Sequence, residues 1–153
     1  MIKILKYPLI LGLLLFFQGI SLAESDRYAI LLKIEGEVQV RQNASDWKPA
    51  QAGMILHAND EIRTGKNSEA SVLLDDNGSS GKFEIKKESR LRLSTLGLDK
   101  QTGYKTTVLD LAIGKALVHA EKLGDNSKFN VRTPNSTTGV RGTTFSITAE
   151  PKK

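Results

Sequence analysis

No cysteine occurs among the 153 residues. Its absence excludes disulfides, thiolate zinc sites, iron–sulfur clusters, a cysteine nucleophile and a lipid-modified N-terminal cysteine. Histidine is almost as scarce. His57 and His119 have no further ligand near them at metal spacing, where zinc needs three or four. His119, between Val118 and Ala120, is expected as an exposed strand residue, and His57 as a loop residue. No G-x-S-x-G elbow is present for a serine nucleophile. The stretch Gly139-Val-Arg-Gly-Thr-Thr-Phe145 lacks the G-K-[ST] ending of a phosphate-binding loop. Asp75-Asp76 lacks calcium-loop spacing and reads as a pair of solvated turn acids. The N-x-[ST] matches at Asn43, Asn77 and Asn135 carry no weight on their own. Neither a catalytic, a cofactor nor a metal site is expected, and the chain is expected not to be an enzyme.

Long apolar runs are also missing, with one exception. Met1 to Lys6 carries two lysines and no acid, Pro8 to Phe17 is almost wholly apolar, and Ser21-Leu22-Ala23 puts small residues at the two positions a signal peptidase reads. This is the three-part pattern of a secretory signal peptide. The apolar stretch is about ten residues, against roughly 20 for a bilayer span. Residues 1–23 are therefore expected as a signal helix cleaved after Ala23, with an uncleaved inner-membrane anchor as the alternative. A periplasmic location follows, with membrane contact only through that segment before cleavage.

Residues 24–153 carry 20 basic and 17 acidic residues, because Lys3 and Lys6 fall in the leader. A net charge of +3 spread along the chain does not suggest nucleic acid, which needs a concentrated basic face. About 130 residues suffice for one core without covalent staples.

From Tyr28 onward the dominant period is two. Tyr28–Ile34 is a strand-length apolar run; Val38 and Val40 share a face, as do Ala70, Val72 and Leu74. Asp75–Gly81 reads as a turn with an Asn-Gly pair. Between Lys82 and Ser94, Phe83, Ile85, Leu91 and Leu93 share one parity, and Lys82, Glu84, Lys86, Glu88, Arg90 and Arg92 the other. This segment reads as a strand pair or one long bent strand, with an ordinary solvated charged face. Phe129 pairs with Val131, and Phe145 with Ile147. The fold class expected is all-β, short strands in a solenoid-like or sandwich-like arrangement.

One segment fits two templates. In Val108–Leu123, Leu109, Ala112, Ile113, Ala116, Leu117, Ala120 and Leu123 form a helical stripe ahead of Gly124. The same residues also read as strand, Gly114, strand. Periodicity alone slightly favours the helix.

Three ordered blocks resemble the FecR domain, a family of exported sensor and regulatory modules. They are Gly36–Arg41 with Trp47-Lys-Pro-Ala50 and Gly53; Leu56 through Asp60-Glu-Ile-Arg-Thr-Gly65 followed by Ala70–Leu74; and Phe129-Asn-Val-Arg-Thr-Pro134 followed by Val140-Arg-Gly-Thr-Thr-Phe145. The resemblance spans residues 28–148, leaving 149–153 as a short polar tail. It implies strand, Gly114, strand for the ambiguous segment. It marks Asp60, Arg63, Thr64, Gly65, Arg141, Gly142, Thr143 and Phe145 as structural or partner-contact positions. Asp60 can accept backbone N–H groups in a turn that Thr64-Gly65 closes before the next strand. Arg141 suits a partner contact or a tie to loop carbonyls. Asn59 departs from the family, which often has glycine there. The cytosolic anti-sigma segment typical of these regulators is not expected ahead of the apolar run. The function expected is a periplasmic, non-catalytic protein-binding module in envelope signalling, with an unidentified protein partner. The alternative is a structural or carbohydrate-associated envelope protein.

Overall fold

A computed structural model of the chain describes residues 27–151. The expected signal helix and its cleavage site lie outside the described residues. Twelve strands form: β1 Ala29–Glu35, β2 Val38–Arg41, β3 Lys48–Pro49, β4 Ile55–Leu56, β5 Glu61–Thr64, β6 Glu69–Leu74, β7 Gly81–Ile85, β8 Arg90–Leu98, β9 Lys105–Ala120, β10 Lys128–Arg132, β11 Thr137–Gly139 and β12 Thr144–Ala149. Among the described residues there is no helix. The period-two alternation read from the sequence is realised as all-β structure.

The strands form one sheet of two arms that share β9. The first arm runs β4-β1-β6-β7 to the C-terminal half of β9, with β12 beyond it. The second runs β3-β2-β5-β8 to the N-terminal half of β9, with β10 and β11 beyond. Pairing is antiparallel except for β9 with β10. The sheet curls as a half-barrel over a single core. Leu31, Val72, Phe83 and Val118 come from the first arm, and Val40, Ile62, Leu91, Leu109 and Leu111 from the second. Each such side chain taken from water contributes roughly 1.5–3 kcal/mol.

The charged segment Lys82–Ser94 is not a strand pair. Its two halves are β7 and β8, which flank β9 from opposite arms and never pair with each other. The expected parity holds: Phe83, Ile85, Leu91 and Leu93 are all fully buried. Their charged partners nevertheless point outward from two different surfaces.

The helical reading of Val108–Leu123 is also overturned, and the strand, Gly114, strand reading holds. β9 passes from one arm to the other at Gly114, which has φ +94°. Leu109 and Leu111 are buried before the bend, and Ala116, Val118 and Ala120 after it. The buried positions change parity across the bend, with Ala112 and Ile113 both left at the surface side. That shift imitates a 3.6-residue period.

Candidate functional site

The second motif block is one strand between two corners. At its entry, Asp60 is 1% exposed. Its carboxylate accepts the N–H groups of His57 (2.9 Å) and Asn43 (3.1 Å) and lies 3.5 Å from Gln42 Nε2. It thereby fastens the turn that brings the chain from β4 into β5 to the loop after β2. Ile62 is fully buried mid-strand. Asn59, where the family often has glycine, has φ +74°, a conformation that glycine adopts without penalty and asparagine tolerates.

At the exit, Thr64 and Gly65 belong to a line of crossings between the arms. Thr64 Oγ1 donates to Lys86 O (2.6 Å) and accepts from Ser89 N–H (3.0 Å). Gly65 N–H reaches Glu37 O at 2.9 Å, and Glu88 N–H reaches Gly65 O at 3.0 Å. Ser68 Oγ accepts from Glu37 N–H (2.7 Å), and Ser89 Oγ from Lys115 N–H (2.9 Å). Three hydroxyls thus join the β1–β2, β5–β6 and β7–β8 crossings to the bend in β9. They satisfy backbone groups that leave the ladder where strands change arms. Of these, the sequence singled out only Thr64; Ser68 and Ser89 carried no local signal.

Arg63 differs from its motif neighbours in facing solvent. Its guanidinium lies 4.3 Å from the centre of the Trp47 ring, and its Nε donates to Gln39 at 2.6 Å. Arg41 approaches the same ring at 5.0 Å. These are cation–π distances.

The third block is split: Phe129–Arg132 lie on β10 beside the N-terminal half of β9, and Val140–Phe145 lead into β12 along its C-terminal half. Arg141 is exposed and paired with Asp125, instead of bonding loop carbonyls. Gly142 has φ +58°, and a Cβ there would press on Lys122 at 3.2 Å. Thr143 O accepts from Ala120 N–H at 3.0 Å. Phe145 sits opposite Val118 and packs on the core. The block starts β12, which pairs only with β9 among the described residues. The eight candidate positions therefore divide between two places: Asp60, Arg63, Thr64 and Gly65 on β5 and its corners, and Arg141, Gly142, Thr143 and Phe145 where β12 docks. Of the histidines, His57 is exposed in a turn, and His119 lies on β9 against Thr144 and Glu121.

The outer face of the second arm concentrates charge. Arg41, Glu61, Arg92, Asp110 and Arg132 are register partners across β2, β5, β8, β9 and β10, in alternating sign. Arg41 pairs with Glu61 at 2.7 Å, and Arg132 grips Asp110 through two nitrogens at 2.5 and 2.8 Å. Burial raises the Asp110 pKa, but the bonds from Arg132 and Ser94 outweigh it and bring it below the usual range. One row further along, Arg63 and Arg90 stand opposite each other. Five of the chain's seven arginines and its one tryptophan thus belong to this arm or its adjoining loop.

Asp75 corrects the sequence reading. It is not a solvated turn acid: both it and Arg27 are buried, and they pair at 2.8 Å. Ser80 and Lys105 also bond its carboxylate, and Arg27 continues to Thr107 Oγ1 and the carbonyls of Gly97 and Thr106. Burial pushes the Asp75 pKa up, yet the hydrogen bonds from Arg27, Ser80 and Lys105 and the Arg27 charge bring it down to about 2. Arg27 and Asp75 are 48 positions apart, so no local pattern could reveal the pair. Asp76 is exposed, as expected.

A family model described as FecR protein matches residues 60–153, and the chain belongs to that family. Comparison with curated proteins and with solved structures gives no match.

Proposed function

We propose that this domain is a periplasmic, non-catalytic module that binds a protein partner in envelope signalling, exported by cleavage after Ala23. Its membership of the FecR family supports a regulatory role. The observation that carries the binding reading is the edge of β12. Thr144–Ala149 is a six-residue strand without a charge or a proline, paired on one side only among the described residues. Such an edge offers free backbone donors and acceptors to an extended segment of another chain.

The test is photo-crosslinking in the envelope from Ser146 and Thr148, both exposed. A protein adduct formed at these positions, and not at exposed Lys48 on the far edge of the other arm, is the expected result. Adducts with glycan alone would replace this reading with a structural, carbohydrate-associated role. Intact mass of the exported chain tests the location: a species beginning at Glu24 is expected, whereas retention of Met1 in the membrane fraction means an anchored protein.

A further inference from the structure

We propose that the cleft between Arg63 and Arg90 receives a carboxylate side chain of an acidic polypeptide, with a neighbouring apolar residue of that polypeptide seated on Ile113. This deepens the protein-binding reading above, on which it rests, and it places a contact on a different surface from β12.

The cleft has a volume of about 510 Å³ and lies on the outer face where β5, β8 and β9 meet. Arg63 and Arg90 are direct cross-strand partners, so their side chains leave the same face of the sheet. Like charges placed opposite each other are unfavourable. Along the neighbouring cross-strand row an acid separates the arginines: Glu61 stands between Arg41 and Arg92, and Asp110 between Arg92 and Arg132. Between Arg63 and Arg90 there is none. Arg63 spends its Nε on Gln39 and stacks on Trp47. The Arg90 guanidinium makes no hydrogen bond or ion pair among the described residues. Glu88 lines the cleft without pairing to either arginine, leaving two cations against one anion.

The remaining wall is apolar. Ala112, Ile113 and Pro151 line it, and Ile113 is one of the few large hydrophobic side chains left 38% exposed. It stands in register with Arg90. A guanidinium pair beside an exposed isoleucine matches a ligand carrying an acid next to a hydrophobic group. Guanidinium binds carboxylate through two parallel hydrogen bonds, so orientation as well as charge is recognised.

The test uses an acetylated, amidated hexapeptide of alternating glutamate and leucine, titrated into the isotope-labelled exported chain and followed by NMR. The expected result is perturbation centred on the Arg63 and Arg90 side-chain Nε–H signals and on the Ile113 methyls. The matching glutamine–leucine peptide, which loses the charged hydrogen bond, and inorganic phosphate, which keeps the charge but has no apolar group for Ile113, should each bind more weakly by about tenfold or more. Arg90→Gln should lower peptide affinity by a similar factor while leaving the fold intact. Because it relieves the like-charge pair, it should also leave the midpoint of thermal unfolding unchanged or raise it at low salt. The proposal is overturned if the glutamate peptide does not bind at millimolar concentration. It is also overturned if the shifts map elsewhere, such as to the β12 edge, or if glutamine peptide or phosphate binds as well. Crosslinking from β12 is an independent readout: protein adducts there with no peptide bound here remove the cleft assignment alone.

Discussion

A Cβ placed on Gly114 would lie 2.6 Å from the Cα of Ser89. The longest strand in the fold therefore bends from one arm into the other over the backbone of the β7–β8 turn, with no room between them for a methyl group. Gly114 also has φ +94°, which penalises any side chain. Gly114→Ala should destabilise the domain by roughly 2–5 kcal/mol, combining backbone strain with overpacking. Urea unfolding measures it. A wild-type midpoint would show that β9 does not turn against Ser89.

This bend also shows how far the sequence could be read. Alternation identified the buried side chains of β2, β6, β7 and the first half of β8 because those stretches keep one face to the core; beyond Leu93 a register shift moves the next buried position of β8 to Leu96. β9 does not keep one face either, and its change of parity at Gly114 produced a spurious helical stripe that only the family resemblance countered. Partner choice was not legible either. β7 and β8 adjoin in sequence yet belong to different arms, since pairing depends on contacts with β9 far along the chain. Within the candidate site, the family resemblance marked Asp60, and its residue type accounted for the turn role. The Ser68 and Ser89 hydroxyls and the Arg27–Asp75 pair were invisible because their partners are distant in sequence.

Asn59 gives a second test at the other end of β5. With φ +74°, a residue with an ordinary side chain pays about 1–2 kcal/mol for the left-handed conformation, and glycine pays almost nothing. Both Asn59→Gly and Asn59→Ala lose the 2.7 Å bond from Arg92, so the comparison isolates the backbone. The glycine variant should be the more stable of the two by about 1 kcal/mol. Equal unfolding midpoints would mean that the turn into β5 does not hold this conformation.

The alternating row across the second arm predicts a salt-sensitive variant. Arg92→Glu puts three acids side by side, between Glu61 and Asp110. Cross-strand charge pairs are each worth some tenths of a kcal/mol, so the reversal should cost about 1–2 kcal/mol at low ionic strength. Most of that loss should disappear in 1 M salt, where the screening length is about 3 Å. Thermal unfolding at two salt concentrations tests it. A salt-independent loss would point to packing of the arginine stem instead.

The Arg27–Asp75 pair gives the fold a stability contribution that acid removes. The folded-state pKa of Asp75 is about 2, below the ordinary 3.8 of the unfolded chain. A depressed carboxylate adds stability that is complete above the unfolded value and is lost as pH falls through the folded one. This contribution, roughly 2 kcal/mol, should therefore be intact above pH 5 and drain away between about pH 4 and pH 2. Asp75→Asn removes the titration and takes the Asp75 charge away from buried Arg27. It should cost about 3–5 kcal/mol at neutral pH. Its stability should then fall less steeply than the wild type between pH 4 and pH 2. Chemical unfolding at a series of pH values gives both readouts. Parallel stability curves for the two proteins across that window would show that Asp75 is not the group being protonated.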